Sequence, residues 1–216
     1  MKLQFESNQQ YQLDAINAVV DIFAGQPADS DDTTRYMDQD RQLSLEATIA
    51  KGNSLMLDIA QIIENTHKIQ EKNGIERSET KEGGFSIPMT FPLEISGKSL
   101  KHGMNFSIEM ETGTGKTYVY LRTIHELHQH YGWKKFIIVV PSVAIREGVL
   151  KNLAITREHF ADLYNKPEMD YYVWDSKKTG QAREFATNDT LQIMVITIDS
   201  FAKAQNVMNR QSDYGR

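Results

Sequence analysis

The feature that most constrains this chain is the run Met110-Glu111-Thr112-Gly113-Thr114-Gly115-Lys116-Thr117. It follows an apolar alternating stretch and precedes a run of helical periodicity. That context separates a phosphate loop from a chance glycine-rich turn. Gly113 and Gly115 allow a tight turn that brings backbone N–H groups up to phosphate oxygens. A helix opening behind them adds the positive end of its dipole. Lys116 is placed as a point charge for β- and γ-phosphates, and the Thr117 hydroxyl as a ligand for Mg2+. One position departs from the pattern G-x-x-x-x-G-K-[ST]: Met110 stands where the first glycine belongs.

The surroundings predict an α/β fold with a parallel sheet. Expected strands are Met104–Met110, Phe136–Val140, Tyr171–Trp174 and Gln192–Ile198. Expected helices are Thr117–Tyr131, closed by Gly132, then Ser142–Leu153 and Thr156–Tyr164. Alternation of the two implies parallel pairing, and the fully apolar Phe136–Val140 reads as a strand buried on both faces.

Upstream, residues 8–24 read as a helix capped by Asn8 with Ile16, Val19, Val20 and Phe23 on one stripe. Residues 26–41 are polar, acidic and turn-rich, and 42–50 are weakly helical. Residues 54–73 form an amphipathic helix that stops at Asn73-Gly74 and is expected to cover the extended segment behind it. A polar linker, 75–84, then gives way to strict alternation from Phe85 to Ile95. Pro88 and Pro92 cannot donate ladder hydrogen bonds, so this is an edge or broken strand. Three segments are expected: an N-terminal helix (1–26), an acidic insert (27–97) and a partial nucleotide-binding domain (98–216).

Composition narrows the function. There is no cysteine, which excludes disulfide scaffolds, thiolate metal sites and cysteine nucleophiles. The net charge of −5 excludes a strongly basic chromatin-type binder. Residues 1–97 carry 8 basic and 16 acidic side chains, whereas 98–216 carry 16 and 13, so a polyanion approaches the second part more easily. The longest apolar run, Phe136–Val140, is cut by Pro141, so no membrane span is expected. The N-terminus lacks a signal-peptide core, and a cytoplasmic location is expected.

The run METGTGKTYVYLRTIHELHQHYGWKKFIIVVPSVAIREGV, with ITIDSF at Ile196–Phe201, resembles the Res subunit of type III restriction enzymes, which are superfamily 2 helicase-like motors. The resemblance is dense over residues 104–155 and patchy elsewhere. It implies a RecA-like domain that binds ATP and Mg2+, acts on DNA, and belongs to an ATP-dependent endonuclease working with a modification (methyltransferase) subunit. In that resemblance Lys116 and Thr117 are catalytic, and Thr112, Gly113, Thr114 and Gly115 line the nucleotide. Tyr11 and Gln12 resemble the adenine-reading motif upstream of the phosphate loop. The Gln12 amide can both donate to and accept from an adenine edge, and Tyr11 can stack on the ring. Pro141, Ser142 and Arg146 resemble motif Ia, and Thr197 and Ser200 motif Ib, the loops that hold the DNA backbone. The family also uses a Walker B acidic pair, a second motor domain and a metal nuclease domain. None is visible, and Asp199 does not serve as the Walker B aspartate because Ser200 follows it where a second carboxylate belongs. The expectation is a chain that stops before Walker B and neither hydrolyses ATP nor cleaves DNA alone. Two other readings stay open here: the first motor domain of another superfamily 2 helicase, or a nucleic-acid-binding module with a structural phosphate loop.

Two lesser clusters read as ordinary structure. His125, His128 and His130 miss the H-E-x-x-H spacing and suggest a solvated helix face. Tyr171, Tyr172 and Trp174 before Lys177-Lys178 suggest a core strand ending in a charged turn rather than a base-stacking platform.

Overall fold

The computed structural model describes residues 5–28, 52–76, 90–95, 98–104, 106–176 and 178–202, with the backbone alone for 90–104. Helix α1 (Gln10–Val20) runs into a 3₁₀ turn (Asp21–Phe23), and α2 spans Ile59–Lys72. Strands β1 (Thr90–Ile95) and β2 (Lys98–Met104) pair antiparallel. Then follow α3 (Lys116–Tyr131), β3 (Lys135–Val140), α4 (Val143–Leu163), β4 (Met169–Val173), α5 (Thr179–Thr187), β5 (Leu191–Thr197) and α6 (Ile198–Ala202).

The parallel sheet has the order β3-β5-β4 and is flanked by helices, as the motif and its surroundings imply. Strand β5 is central and buried along its whole length, which suits its nearly unbroken apolar sequence. On one face, Tyr118, Leu121 and Ile124 of α3 and Val149, Leu153 and Phe160 of α4 pack on Leu191, Ile193 and Val195. On the other, Phe185 and Ala182 of α5 pack on Trp174, Met194 and Ile196. Helix α1 lies on α3 through Ile16, Val20, Val119, Leu127 and Tyr131.

Several expectations need correction. The strand expected at Met104–Met110 ends where it was meant to begin. Residues 106–110 carry no strand, since no described strand pairs with them to satisfy their backbone groups. The expected pair of helices after Pro141 is one helix, α4. No glycine or proline interrupts it between Val149 and Leu163, and the Thr156 hydroxyl donates back to the Asn152 carbonyl at 2.7 Å. Strand β3 is an edge strand among the described residues, and Ile137 and Val139 are 41% and 45% exposed, because α5 packs on β4 and β5 and reaches β3 only at Lys135, over the Phe185 ring. Helix α5 was not anticipated, nor was β2. Helix α1 starts at Gln10 with Gln9 as an N-cap that makes no side-chain cap bond, so Asn8 does not cap it. Helix α2 starts later than expected, where Asp58 and Gln61 form a capping box, and leaves Leu55 and Met56 exposed ahead of it.

Helix α2 packs on the 3₁₀ turn, where Asn65 donates to the Ile22 and Ala24 carbonyls. The buried Gln26 fixes the segment before α2 by donating to the Ser54 carbonyl and accepting from the Met56 N–H. In β1 the register shifts between Phe91 and Leu93, at Pro92, which lacks the N–H a regular ladder needs. The expected helix at 42–50, the alternation at 85–89 and Pro88 lie outside the described residues. Among the described residues, no helix is long and apolar enough to cross a membrane.

Candidate nucleotide site and the loops beside it

The glycines of the phosphate loop adopt the conformations that only glycine takes readily. Gly113 has φ +86° and Gly115 φ +84°. Gly115 is also the N-cap of α3, and no side chain caps that helix. The first N–H groups of α3 are therefore free for an anion. The Thr114 hydroxyl donates to the Glu111 carbonyl at 2.7 Å and closes the turn from inside. Thr112 lies exposed in that turn. Lys116 is exposed and Thr117 half-buried in the first turn of α3. Tyr120, half-buried on the same helix, has its pKa raised by burial. Met110, at the position of the missing glycine, packs against the α1–α3 cluster.

Gln12 comes to this loop from far along the chain. Buried to 7% exposure, its Nε2 donates to the Thr114 carbonyl at 2.9 Å. A side chain at Gly115 would place a Cβ 2.7 Å from that nitrogen. The amide expected to read adenine thus holds the phosphate loop in this structure. Tyr11 is 48% exposed, with its hydroxyl donating to Gln9 Oε1.

Only three residues, 132–134, connect α3 to β3, so the helix runs back along the strand. Sixteen helical residues span about 24 Å and six strand residues about 20 Å, which brings the start of α3 to the C-terminal end of β3. Val140 is in register with Thr197, so the loops after β3 and β5 open side by side at that same end. Open α/β sheets bind ligands there.

The residues expected to hold DNA lie at this end, Pro141 and Ser142 after β3, Arg146 in the first turn of α4, Thr197 at the end of β5 and Ser200 in α6, and each side chain with a polar group already has an internal partner. Pro141 is exposed. Ser142 caps α4, its hydroxyl oxygen accepting from the Ile145 N–H at 3.3 Å. Arg146 is bound by its neighbour Glu147, through Nη2 at 2.8 Å and Nε at 3.1 Å. The buried Thr197 donates to the Ser200 hydroxyl at 3.0 Å. Asp199 is exposed in the first turn of α6. Sequence reading missed Glu147, although an adjacent Arg-Glu pair was there to be seen.

Of the histidines expected on a solvated face, only His130 is exposed; His125 is buried and His128 half-buried, because α3 is sandwiched between α1 and α4. His125 is 4% exposed, stacked on Tyr164 with ring planes 9° apart. Burial, and then the nearby His128, push its pKa down to about 4. His128 bonds the Trp133 carbonyl at 2.9 Å, and burial lowers its pKa. His130 lies 3.6 Å from Glu126. Trp174 is buried against Met194 and Ile196, and Tyr172 packs edge-on to Phe185, so the strand reading of that aromatic run holds. Burial, and then Glu184, push the Tyr172 hydroxyl up to about 12. Among the described residues no group of three His, Asp or Glu side chains is placed to hold a metal ion.

Comparison with known proteins agrees with this architecture. The family model described as type III restriction enzyme, res subunit, matches residues 7–216. The chain is similar to the type III restriction-modification enzyme EcoPI Res subunit of Escherichia phage P1, at 29% identity over 94% of this chain and 17% of that protein. It is similar to the EcoP15I Res subunit of Escherichia coli, at 30% identity over 93% of this chain and 17% of that protein. A shorter match, 38% identical over 43% of this chain and 11% of the relative, is to the StyLTI Res subunit of Salmonella typhimurium. The chain spans about a sixth of the length of the first two relatives.

Proposed function

The chain belongs to the Res-subunit family of type III restriction enzymes, and on that premise we propose that it is the ATP-binding, DNA-acting motor portion of such a subunit. The observation that carries this reading is the phosphate loop, with two left-handed glycines leading into an uncapped helix that starts with an exposed lysine. The residues present fit ATP and Mg2+. The free N–H groups at the start of α3 and the Lys116 ammonium would receive the β- and γ-phosphates. The Thr117 hydroxyl would ligate Mg2+, which when bound offsets phosphate charge. Gln12 stands beside the loop, with Tyr11 exposed one residue earlier, for the adenine end. Pro141, Ser142, Arg146, Thr197 and Ser200 would meet the DNA backbone. On this reading the chain divides into an N-terminal helix (1–26), an insert (27–97) and a partial motor domain (98–216). Endonuclease activity, a modification subunit as partner and a cytoplasmic setting are part of the proposal for the whole subunit.

Within residues 1–216 no apolar strand ends in an acidic pair, so this polypeptide should bind MgATP without turning it over. Calorimetry with MgATP tests the first half, and Lys116→Ala should weaken binding about ten- to a hundredfold, the worth of one hydrogen bond to a charged group. Binding by the variant at wild-type affinity would remove the nucleotide site. Robust ATP turnover by residues 1–216, lost on Asp199→Asn, would make Asp199 the Walker B residue.

A further inference from the structure

Helix α3 carries a buried cation that the nucleotide reading does not use. Arg122 is 7% exposed, six residues beyond Lys116 and so about 9 Å along the helix. Its Nε donates to the Tyr164 hydroxyl at 3.1 Å, and Tyr164 in turn donates to Glu126 Oε1 at 2.6 Å. Glu126 lies 3.5 Å from Arg122, so the charge is balanced inside the network. The remaining contact leaves the α3–α4 pair altogether: Nη1 donates to the backbone carbonyl of Ser7.

That carbonyl belongs to the short segment before α1. Two residues earlier, Phe5 stacks on Tyr118 with planes 15° apart and lies 5.1 Å from the His159 ring. Tyr118 and His159 are themselves hydrogen-bonded at 2.9 Å. The segment is thus fixed at two points on the surface of α3 and α4. Helix α1 needs such an external anchor, since its N-cap makes no side-chain bond and its first turn has no acidic residue. Gln12 is the third residue of that helix, and it holds the Thr114 carbonyl.

The contacts therefore close a ring. The phosphate loop leads into α3, Arg122 on α3 holds Ser7, Ser7 sets the start of α1, and Gln12 on α1 returns to the phosphate loop. A buried ion pair is a poor source of stability, because an apolar group of like volume would cost less desolvation. A guanidinium does offer directed donors that fix a backbone carbonyl in one place. We infer that Arg122 is a positioning residue for the phosphate loop, acting through the N-terminal segment and Gln12. The inference rests on the nucleotide reading of that loop, but its geometry can be tested without nucleotide.

The test compares Arg122→Met, Phe5→Ala, Gln12→Ala and the double variant Arg122→Met/Gln12→Ala of the whole chain. Phe185→Ala, in the cluster on the far face of the sheet, serves as a control for general destabilisation. Two quantities are read: MgATP affinity, and amide exchange of residues 110–119 in ligand-free protein. Arg122→Met and Phe5→Ala should each weaken MgATP several-fold and speed exchange in 110–119 several-fold, with β5 unchanged. In the Gln12→Ala background, Arg122→Met should add nothing to either effect. Phe5→Ala buries no unpaired charge and serves if Arg122→Met does not fold. Unchanged exchange, additive effects in the double variant, or an equal response of 110–119 to Phe185→Ala would each overturn the inference. If wild-type protein does not bind MgATP, the nucleotide reading fails, and the exchange measurements still decide whether the ring exists.

Discussion

The phosphate loop and the loops after β3 and β5 open at the same end of the sheet but are built in opposite ways. The first is made of backbone: two left-handed glycines and the uncapped start of α3 turn donors outward with no side-chain partner to displace. The second is made of side chains, and Ser142, Arg146 and Thr197 are each held by a neighbour one to three positions away. On the proposed reading, a ligand would meet a finished site in one place and a competition in the other. A backbone site depends on what holds its helix and its turn. A side-chain site can be tuned by the residue beside it.

The largest effect that could break this contrast comes from beneath the phosphate loop. If the loop depends on α3 staying sandwiched, acid should undermine it through His125. The folded protein holds this imidazole neutral down to about pH 4, while the unfolded chain takes up the proton near its ordinary value of 6.5. The contribution is therefore fully present above pH 6.5 and is lost as the pH falls toward 4. By linkage it amounts to about 3 kcal/mol. His128 and His159, whose values burial also lowers, act in the same direction. Denaturant titrations from pH 7 to 4 should show falling stability, and His125→Leu should flatten the slope. An unaltered slope in that variant would place the acid sensitivity elsewhere.

A smaller effect tests the backbone claim itself. Gly115→Ala forces an L-residue to φ +84° and sets its Cβ against the Gln12 amide. Left-handed strain costs about 1–3 kcal/mol. MgATP affinity should fall while DNA affinity holds. A variant with wild-type nucleotide affinity would show that the turn is not shaped by its glycines.

The smallest effect sharpens the other side. Exposed ion pairs are worth at most about 1 kcal/mol, so the Arg146–Glu147 pair should be easy to shift. Glu147→Gln should free Arg146 and raise nonspecific DNA affinity at low salt, and Arg146→Glu should lower it. Filter binding across a salt series measures both. If neither variant changes the affinity or the salt slope, the DNA face lies away from this loop.

What could be read in advance follows the same division. The GTGKT run foretold the two positive-φ glycines, the start of α3 and the α/β class, because a positive φ and a helix start are demands on adjacent residues. The alternation of apolar runs located β3, β4 and β5 to within two residues. His125 and His128 misled, since their spacing says nothing of what packs on α3. Strand 104–110 misled too, since alternation proposes a strand and only a partner makes one.

The sequence by itself determined the elements whose causes are local: the glycine turn, the capping of α2 by Asp58 and Gln61, and the apolar strip of β5. Tertiary structure alone decided the rest. Gln12 meets Thr114 across 102 positions, Arg122 meets Ser7 across 115, and β3 keeps a bare face because α5 covers the opposite edge. Periodicity records that a side chain is buried, but which group it then faces is set by how helices and strands are brought together, and no local pattern carries that information.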